Sequence, residues 1–591
     1  MKVALKQANM DKLEDYLMEV SHPDSDKYGQ HWSHKSIAEA FAPSHETVEV
    51  VHNWLTSAGI SGERISKSQS MGWLHFDTTI EEAESLLRTE YFLYKHESGQ
   101  GQVACTRYHV PEHVQAHIDF ITPTVHFDTK ILPPQPPRKG KEKRTGKSTP
   151  GLGSSLSGSL PKLSFFGGGG ILNQLEDCSN NVTPLCLRVL YGIPFALPIT
   201  NPQNSYGIVE YTPQSYIGTD LDLFFSNYSK FQVQKRPILD SIDGGFVSDA
   251  QNLNLNAESD LDLEYAMALV NPIKVTLYQV GDIPEQNFTS FNNFLDALDA
   301  SYCAGDDKIF DASYPDPLPG GYTGPENCGG FSATKVISTS YAYNEHDLTP
   351  AYEIRQCNEY AKLGLAGTTF LYSSGDYGVA GNGGQCIDPA TGAYNDGTSG
   401  IFNPSFPGTC PFILSIGATQ IRPNASVTAP EEACETVIYS GGGFSNVFPL
   451  PDYQSAAVKG WFANFPPPYG ADRFNNSQQT RGFPDVSANG AKYVVALDGG
   501  YKYHLYGTSA SSPTFGAVIT LINEARFDIG KGSVGFINPS LYANPGILND
   551  IVDGGNQGCG TPGFQSARGW DPVTGLGTPN FPKMLVFYLS H

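Results

Sequence analysis

Residues 128–170 cannot bury a core. They run from PPQPP through Arg138-Lys139-Gly140-Lys141-Glu142-Lys143-Arg144 into Gly-, Ser- and Pro-rich sequence ending in four glycines at 167–170. That composition makes an exposed linker, so the chain folds as separate pieces on either side of it. Its basic run reads either as a solubilising tether or as a cleavage site at Lys143-Arg144. The pieces differ chemically. Residues 1–175 carry 18 Lys/Arg against 20 Asp/Glu, whereas residues 176–591 carry 19 against 40. Eleven of the 14 histidines lie between His22 and His126.

The net charge of −23 argues against nucleic-acid binding, which needs clustered basic surface. No uninterrupted apolar stretch of about 18 residues occurs, so no membrane helix is expected. The N-terminus leads straight into polar amphipathic sequence, without the apolar core of a signal peptide. The chain is therefore read as either cytosolic or missing its true start. Ten cysteines permit several disulfides. Cys105 stands alone in the first piece, and the second holds nine, leaving at least one thiol unpaired there. No Cys-x-x-Cys spacing occurs, which disfavours a cysteine zinc site. Sequons fall at Asn181, Asn227, Asn287, Asn424 and Asn475, all in the second piece.

Residues 11–22, 44–59 and 80–91 have the apolar spacing of amphipathic helices. Strand-like runs, Trp73 to Phe76 and Tyr91 to Tyr94, lie among them, which gives a small α+β domain. Beyond residue 176 strands and helices alternate. Strands are expected at Tyr206 to Tyr211, Ile273 to Val280, Val336 to Ser340, Thr368 to Ser373 and Phe412 to Ile416. Helices are expected at Ser259–Val270 and Tyr352–Leu363. This pattern implies an α/β fold with a parallel sheet flanked by helices.

Tyr506-Gly507-Thr508-Ser509-Ala510-Ser511-Ser512-Pro513 precedes an apolar helical run and reads as strand, tight turn and helix. Ser509 then sits at a helix N-terminus, where free N–H groups favour developing negative charge. That suits a nucleophile, although a Ser-rich helix cap would look the same. A histidine base is poorly supplied. His346 lies in a polar run, His504 is five residues before the serine, and His591 is the last residue. Carboxylates fit better. Glu258 and Asp262 are i, i+4 on one helical face, where two acids compete for protons; alone, they also read as an acidic first turn. Asp376 follows a buried strand, the usual place for an α/β site, though it also reads as a turn aspartate. Asp550 and Asp571, with nearby carbonyls, make an oxygen-only set suited to Ca²⁺.

Taken together these segments resemble the sedolisins, or serine-carboxyl peptidases. The resemblance covers nearly the whole chain. It is carried by Glu258-x-x-x-Asp262 with Leu261 and Tyr265, Ser374-Gly375-Asp376, Ser440-Gly441-Gly442-Gly443-Phe444-Ser445-Asn446, Pro484-Asp485-Val486, Gly507-Thr508-Ser509 with Pro513, and Gly569-Trp570-Asp571-Pro572. The ALKQ and FAP stretches resemble the family's pro-domain, and the secreted fungal tripeptidyl-peptidase branch looks most similar.

The resemblance implies a subtilisin-like catalytic domain over 176–591, a pro-domain over 1–127 and a processed linker over 128–175. It implies an acid-acting zymogen that takes polypeptide substrates and is inhibited by its own pro-domain. A secreted, glycosylated monomer follows from it, with no nucleic-acid or membrane partner; a signal peptide and first strand are then missing from the start. Ser509 is the implied nucleophile and Glu258 its base, with Asp262 orienting Glu258. Asp376 stands where subtilisins use an oxyanion-hole asparagine and must be protonated to donate there. That demand, with a carboxylate base of ordinary pKa about 4, implies an acid optimum. Asp550, Asp571 and the carbonyls of Ile551, Ala567 and Gly569 are the implied ligands of one structural Ca²⁺. A Cys386–Cys559 disulfide matches a family pattern. Tyr506 replaces a usual serine, which bears on the S1 neighbourhood, and Ala567 replaces a frequent glycine.

Within this reading tripeptide release from free N-termini leads endopeptidase cleavage. The alternatives are a histidine-dependent subtilase and a catalytically dead binding module. Histidines 22 to 126 add one expectation of their own: charging below pH about 6.5 first draws the pro-domain to its acidic partner, and carboxylate protonation releases it at strongly acid pH.

Overall fold

The computed structural model describes residues 1–67, 72–95, 101–125, 154–155, 171–195, 201–285, 289–303, 311–312 and 314–591. Lys143-Arg144, Asn287, His96 and His126 lie outside the described residues.

Alternating apolar residues send the strands of the larger piece into one sheet buried on both faces. Its order is Glu432–Ala433, Leu414–Gln420, Thr369–Ser373, Val336–Thr339, Tyr206–Tyr211, Val275–Val280, Ile238–Ile242, with Val486–Asn489 added in parallel on Leu414–Gln420. All pairings are parallel except that of Glu432–Ala433. In Tyr206–Tyr211 the side chains of Tyr206 and Ile208 enter one core and those of Val209 and Tyr211 the other, as the two-residue strand period requires. The first core holds helices Leu253–Val270 and Thr508–Asp528; the second holds Phe291–Leu298 and Pro350–Leu365.

The expected strands are present with shifted ends. Val275–Val280 starts two residues late, after the Asn271-Pro272 turn, and Leu414–Gln420 runs four residues past its expected end. Helix Leu253–Val270 begins six residues before Ser259. Asn252 caps it, its side chain accepting the Asn254 N–H at 3.0 Å. Glu258 is therefore not in an acidic first turn. From Asn256 to Val270 every residue of this helix is buried, so it has no polar face to mark its start.

The smaller piece is α+β. Its antiparallel sheet has the order Ile65–Lys67, Trp73–Phe76, Lys2–Leu5, Ile118–Thr122. Helices His45–Ser57 and Ile80–Leu87 cover it, placing Val51, Leu55 and Leu87 against Val3, Leu74 and Ile121. Ser44 caps the first helix, and Thr79 with Glu82 forms a capping box on the second. Helix His34–Phe41 was not legible from its short apolar pattern. It and Leu13–Ser21 leave this core and pack on the larger piece, where Leu17, Ile37 and Phe41 meet Ala361, Leu365 and Phe536.

Disulfides join Cys178–Cys186, Cys303–Cys328, Cys357–Cys410 and Cys386–Cys559. The last is the pairing the family pattern implies. Cys105 and Cys434 are free and buried.

Candidate active site

The site lies at the C-terminal ends of the parallel strands, where backbone leaves the sheet and loops converge. Strand Gly500–Gly507 ends at Gly507, and Thr508 begins the helix that carries Ser509 in its first turn. Pro513 sits inside this helix and has no N–H. The carbonyl four residues earlier, that of Ser509, thereby lacks its helical donor. Ser340 serves it instead: its hydroxyl lies 3.3 Å from the Ser509 carbonyl and donates to Asp262 Oδ2 at 2.6 Å. One serine at the end of strand Val336–Thr339 thus connects the nucleophile's backbone to the acidic helix.

Glu258, Asp262 and Ser509 are fully buried, and Ser509 Oγ has no hydrogen-bond partner among the described residues. Asp262 is pushed well above the usual carboxylate range, first by burial and then by the charges of Glu258 and Glu210, against the Ser340 hydrogen bond. Glu210 is a third carboxyl in the group, which the motif reading missed. It is the penultimate residue of strand Tyr206–Tyr211 and accepts from the Tyr341 hydroxyl at 2.6 Å. Burial and then Glu258 raise it as well, while Tyr341 lowers it. Its signal in sequence was an acid inside a hydrophobic strand, YGIVEY.

Asp376 reaches the nucleophile from the other side. Its Oδ1 accepts the Thr508 N–H at 2.8 Å and the Thr508 hydroxyl at 2.9 Å. The Thr508 hydroxyl also accepts the Gly375 N–H at 3.2 Å. Gly375 has φ 107°, a left-handed backbone suited to glycine. The Gly-rich loop beginning at Ser440 closes on this turn: a Cβ on Gly441 would lie 2.2 Å from the Ser374 carbonyl oxygen. The Pro484-Asp485-Val486 signature is structural. Asp485 makes a buried two-pronged pair with Arg481, and Trp570 Nε1 donates to the Pro484 carbonyl at 2.9 Å.

The structure thus brings Asp262 to the Ser509 backbone through Ser340 and Asp376 to the adjoining Thr508, with the Glu258 charge acting on Asp262. It does not bring in a histidine. His346 Nε2 meets the Gly392 carbonyl at 2.9 Å, and no described histidine bonds to Ser509.

The two distant calcium segments also meet. The Gly569 N–H donates to Asp550 at 3.1 Å, and the Ala567 N–H to Asp571 Oδ2 at 3.0 Å. Asp571 is fully buried with no cationic partner, and burial pushes it up to about 7 despite hydrogen bonds from Ala567, Val573 and Thr574. Among the described residues no protein donor reaches the carbonyls of Ile551, Ala567 or Gly569. Two carboxylates and three free carbonyls are a donor set that fits a hard cation such as Ca²⁺. Cys303, Glu326 and Cys328 also cluster, but the two cysteines form a disulfide.

Residues 1–127 match the family described as "Pro-kumamolisin, activation domain". The chain is 42% identical to Tripeptidyl-peptidase SED1 of Arthroderma otae, over 100% of this chain and 92% of that protein. Aorsin of Aspergillus oryzae is likewise 42% identical, over 100% of this chain and 92% of its own. A solved structure of Pseudomonas sedolisin, a serine-carboxyl proteinase, is 19% identical with a TM-score of 0.49, covering 70% of this chain and 99% of that one. This is a serine-type peptidase with an N-terminal activation domain, and its larger piece is an α/β body built on a mostly parallel sheet. The chain belongs to the sedolisin, or serine-carboxyl peptidase, family.

Proposed function

We propose that this peptidase acts at acid pH and releases tripeptides from free N-termini through an acyl-enzyme on Ser509. The observation that carries the mechanism is the Ser340 hydroxyl shared between Asp262 and the Ser509 carbonyl, which holds the nucleophile's turn against the acidic helix. The relatives named tripeptidyl-peptidases support the substrate class.

In this reading Ser509 Oγ attacks the scissile carbonyl while Glu258 takes its proton. The C–N bond then breaks, and Glu258 returns the proton to the departing amine. Water, deprotonated by Glu258, attacks the ester; the C–O bond breaks, Glu258 returns the proton to Ser509 Oγ, and the tripeptide is freed. Asp262 and Glu210 hold Glu258 in a site crowded with carboxyls, where protons are retained. Asp376, with Oδ1 engaged by Thr508, offers its other oxygen, protonated, to the oxyanion. Asp550, Asp571 and the carbonyls of Ile551, Ala567 and Gly569 would hold Ca²⁺. Bound there, the ion supplies positive charge that ties the two C-terminal loops together. The activation domain inhibits until removed, and the chain is read as a secreted, glycosylated enzyme.

The test is an assay at pH 4 of an N-terminally free tripeptide-aminocoumarin beside an N-blocked, internally quenched peptide, with Ser509→Ala as control. Cleavage of the free tripeptide alone, abolished in the variant, is expected. Cleavage of the blocked peptide would make the enzyme an endopeptidase.

A further inference from the structure

Among the described histidines of the activation domain, His34, His45, His109 and His113 are exposed and His22, His52, His75 and His117 half-buried. His31 is set into the contact with the α/β body. The next residue anchors it there, the Trp32 N–H donating to the Leu365 carbonyl at 2.8 Å. Two glycines of the body make its slot. A Cβ on Gly367 would lie 2.6 Å from His31 Nδ1, and one on Gly535 would lie 2.5 Å from Nε2. Both glycines have positive φ, 89° and 64°. Nε2 is shielded from solvent and has no hydrogen-bond partner among the described residues.

The groups facing this ring from the body are cationic. Lys335 and Arg526 both act on it. Arg526 is buried and fixed, with Nε on the Gly532 carbonyl at 2.9 Å and its guanidinium 5.8 Å from the Tyr28 ring. No described carboxylate forms an ion pair with His31.

We propose that His31 is the acid-release element of the activation domain: its neutral ring fits the Gly367–Gly535 slot, and its protonation sets a buried cation against Lys335 and Arg526 and weakens docking. The proposal rests on the reading of residues 1–127 as an inhibitory domain. It reverses the expectation that charging these histidines first draws the two pieces together, because the histidine at the contact faces lysine and arginine.

Burial first, then Lys335 and Arg526, hold docked His31 down to about 4, against an ordinary 6.5. A group whose value is lowered by docking disfavours the docked state once it must take a proton. Docking is therefore at full strength above about 6.5, weakens tenfold per pH unit below that, and levels off near 4, about 300-fold in all. Other contact groups differ. Glu14 is raised by burial and then by Asp452, so it takes up a proton on docking and works in the opposite sense. Asp119 pairs with Arg355 at 3.2 Å.

The test uses the full chain carrying Ser509→Ala, which cannot process itself. Hydrogen exchange of helix Leu13–Ser21 is followed from pH 7 to 4, each rate corrected for its intrinsic pH dependence. The opening constant of the parent should rise up to about 300-fold more than that of His31→Gln. Lost packing in His31→Gln would offset the curve at every pH without restoring its slope. Lys335→Gln, which removes one facing cation and leaves the ring, should leave the onset in place but make the weakening level off at higher pH, with a smaller total fall. A parental slope in His31→Gln, or a parental plateau and total fall in Lys335→Gln, would overturn the proposal. A separate readout protects the underlying premise: if removing residues 1–127 from the active enzyme leaves its activity unchanged, the inhibitory reading fails, whatever the exchange data show.

Discussion

Ser340 does two tasks that no local motif announces. Its single hydroxyl hydrogen lies between two acceptors, Asp262 Oδ2 and the Ser509 carbonyl that Pro513 leaves without a helical donor. At pH 4 the raised Asp262 carboxyl is neutral, and removing a neutral hydrogen bond costs about 0.5–1.5 kcal/mol. Ser340→Ala should therefore lower kcat/KM about 2- to 10-fold at pH 4, measured beside a circular-dichroism control for folding; fully parental activity would remove Ser340 from the site. Asp376 permits a sharper test. An asparagine donates a hydrogen bond at every pH, whereas an aspartate must first be protonated. In Asp376→Asn the alkaline limb of the kcat profile should move upward while activity at pH 4 persists. An unmoved limb would assign it to another group. Ser509, Glu258, Asp262 and Asp376 were all legible as residue types in context. Glu210, Ser340 and Thr508 were not, because each acts through a partner more than 45 positions away in sequence.

At the scale of elements, the site depends on loops that touch without side chains. Gly441 packs on the Ser374–Gly375 turn so closely that a methyl group has no room. Gly441→Ala should displace Asp376 and lower kcat roughly 100-fold, the order expected for a 1 Å misplacement, with little change in secondary structure. The Asp550 and Ala567–Asp571 loops are held by two N–H donors to carboxylates. Chelation of divalent cations should lower the thermal midpoint, and Asp571→Asn should lower it and abolish its calcium dependence; a midpoint indifferent to chelator would exclude the ion. Helix Leu253–Val270 shows why element ends were misjudged. It is buried all round, so apolar periodicity could not locate its first turn, and Asn252 decides where it begins.

For the whole molecule the buried acids set a pH preference. Burial raises Asp243 to about 7, Glu285 to about 7 and Asp347 to about 6. A carboxyl raised in the fold binds its proton more tightly there than in the unfolded chain. Its stabilisation is complete below about 4 and is lost as pH rises through 6 to 7. With calcium held constant, the thermal midpoint of the Ser509→Ala chain should fall between pH 4 and 7. A maximum at pH 7 would contradict this.

By itself the sequence determined the parallel α/β class; it also pointed to a linker between two pieces and to candidates for the nucleophile and its acidic partners. These follow from short-range facts: a linker that cannot bury a core, alternating strands and helices, and a serine after a glycine turn. The tertiary structure alone decided which carboxyls share a charge environment and which of many histidines meets the α/β body. It also decided where helices Leu13–Ser21 and His34–Phe41 spend their apolar faces. The reason is physical. Local pattern reports on neighbours a few residues away, whereas a pKa, a buried cation or a slot between Gly367 and Gly535 is set by groups hundreds of residues apart, which only packing brings together.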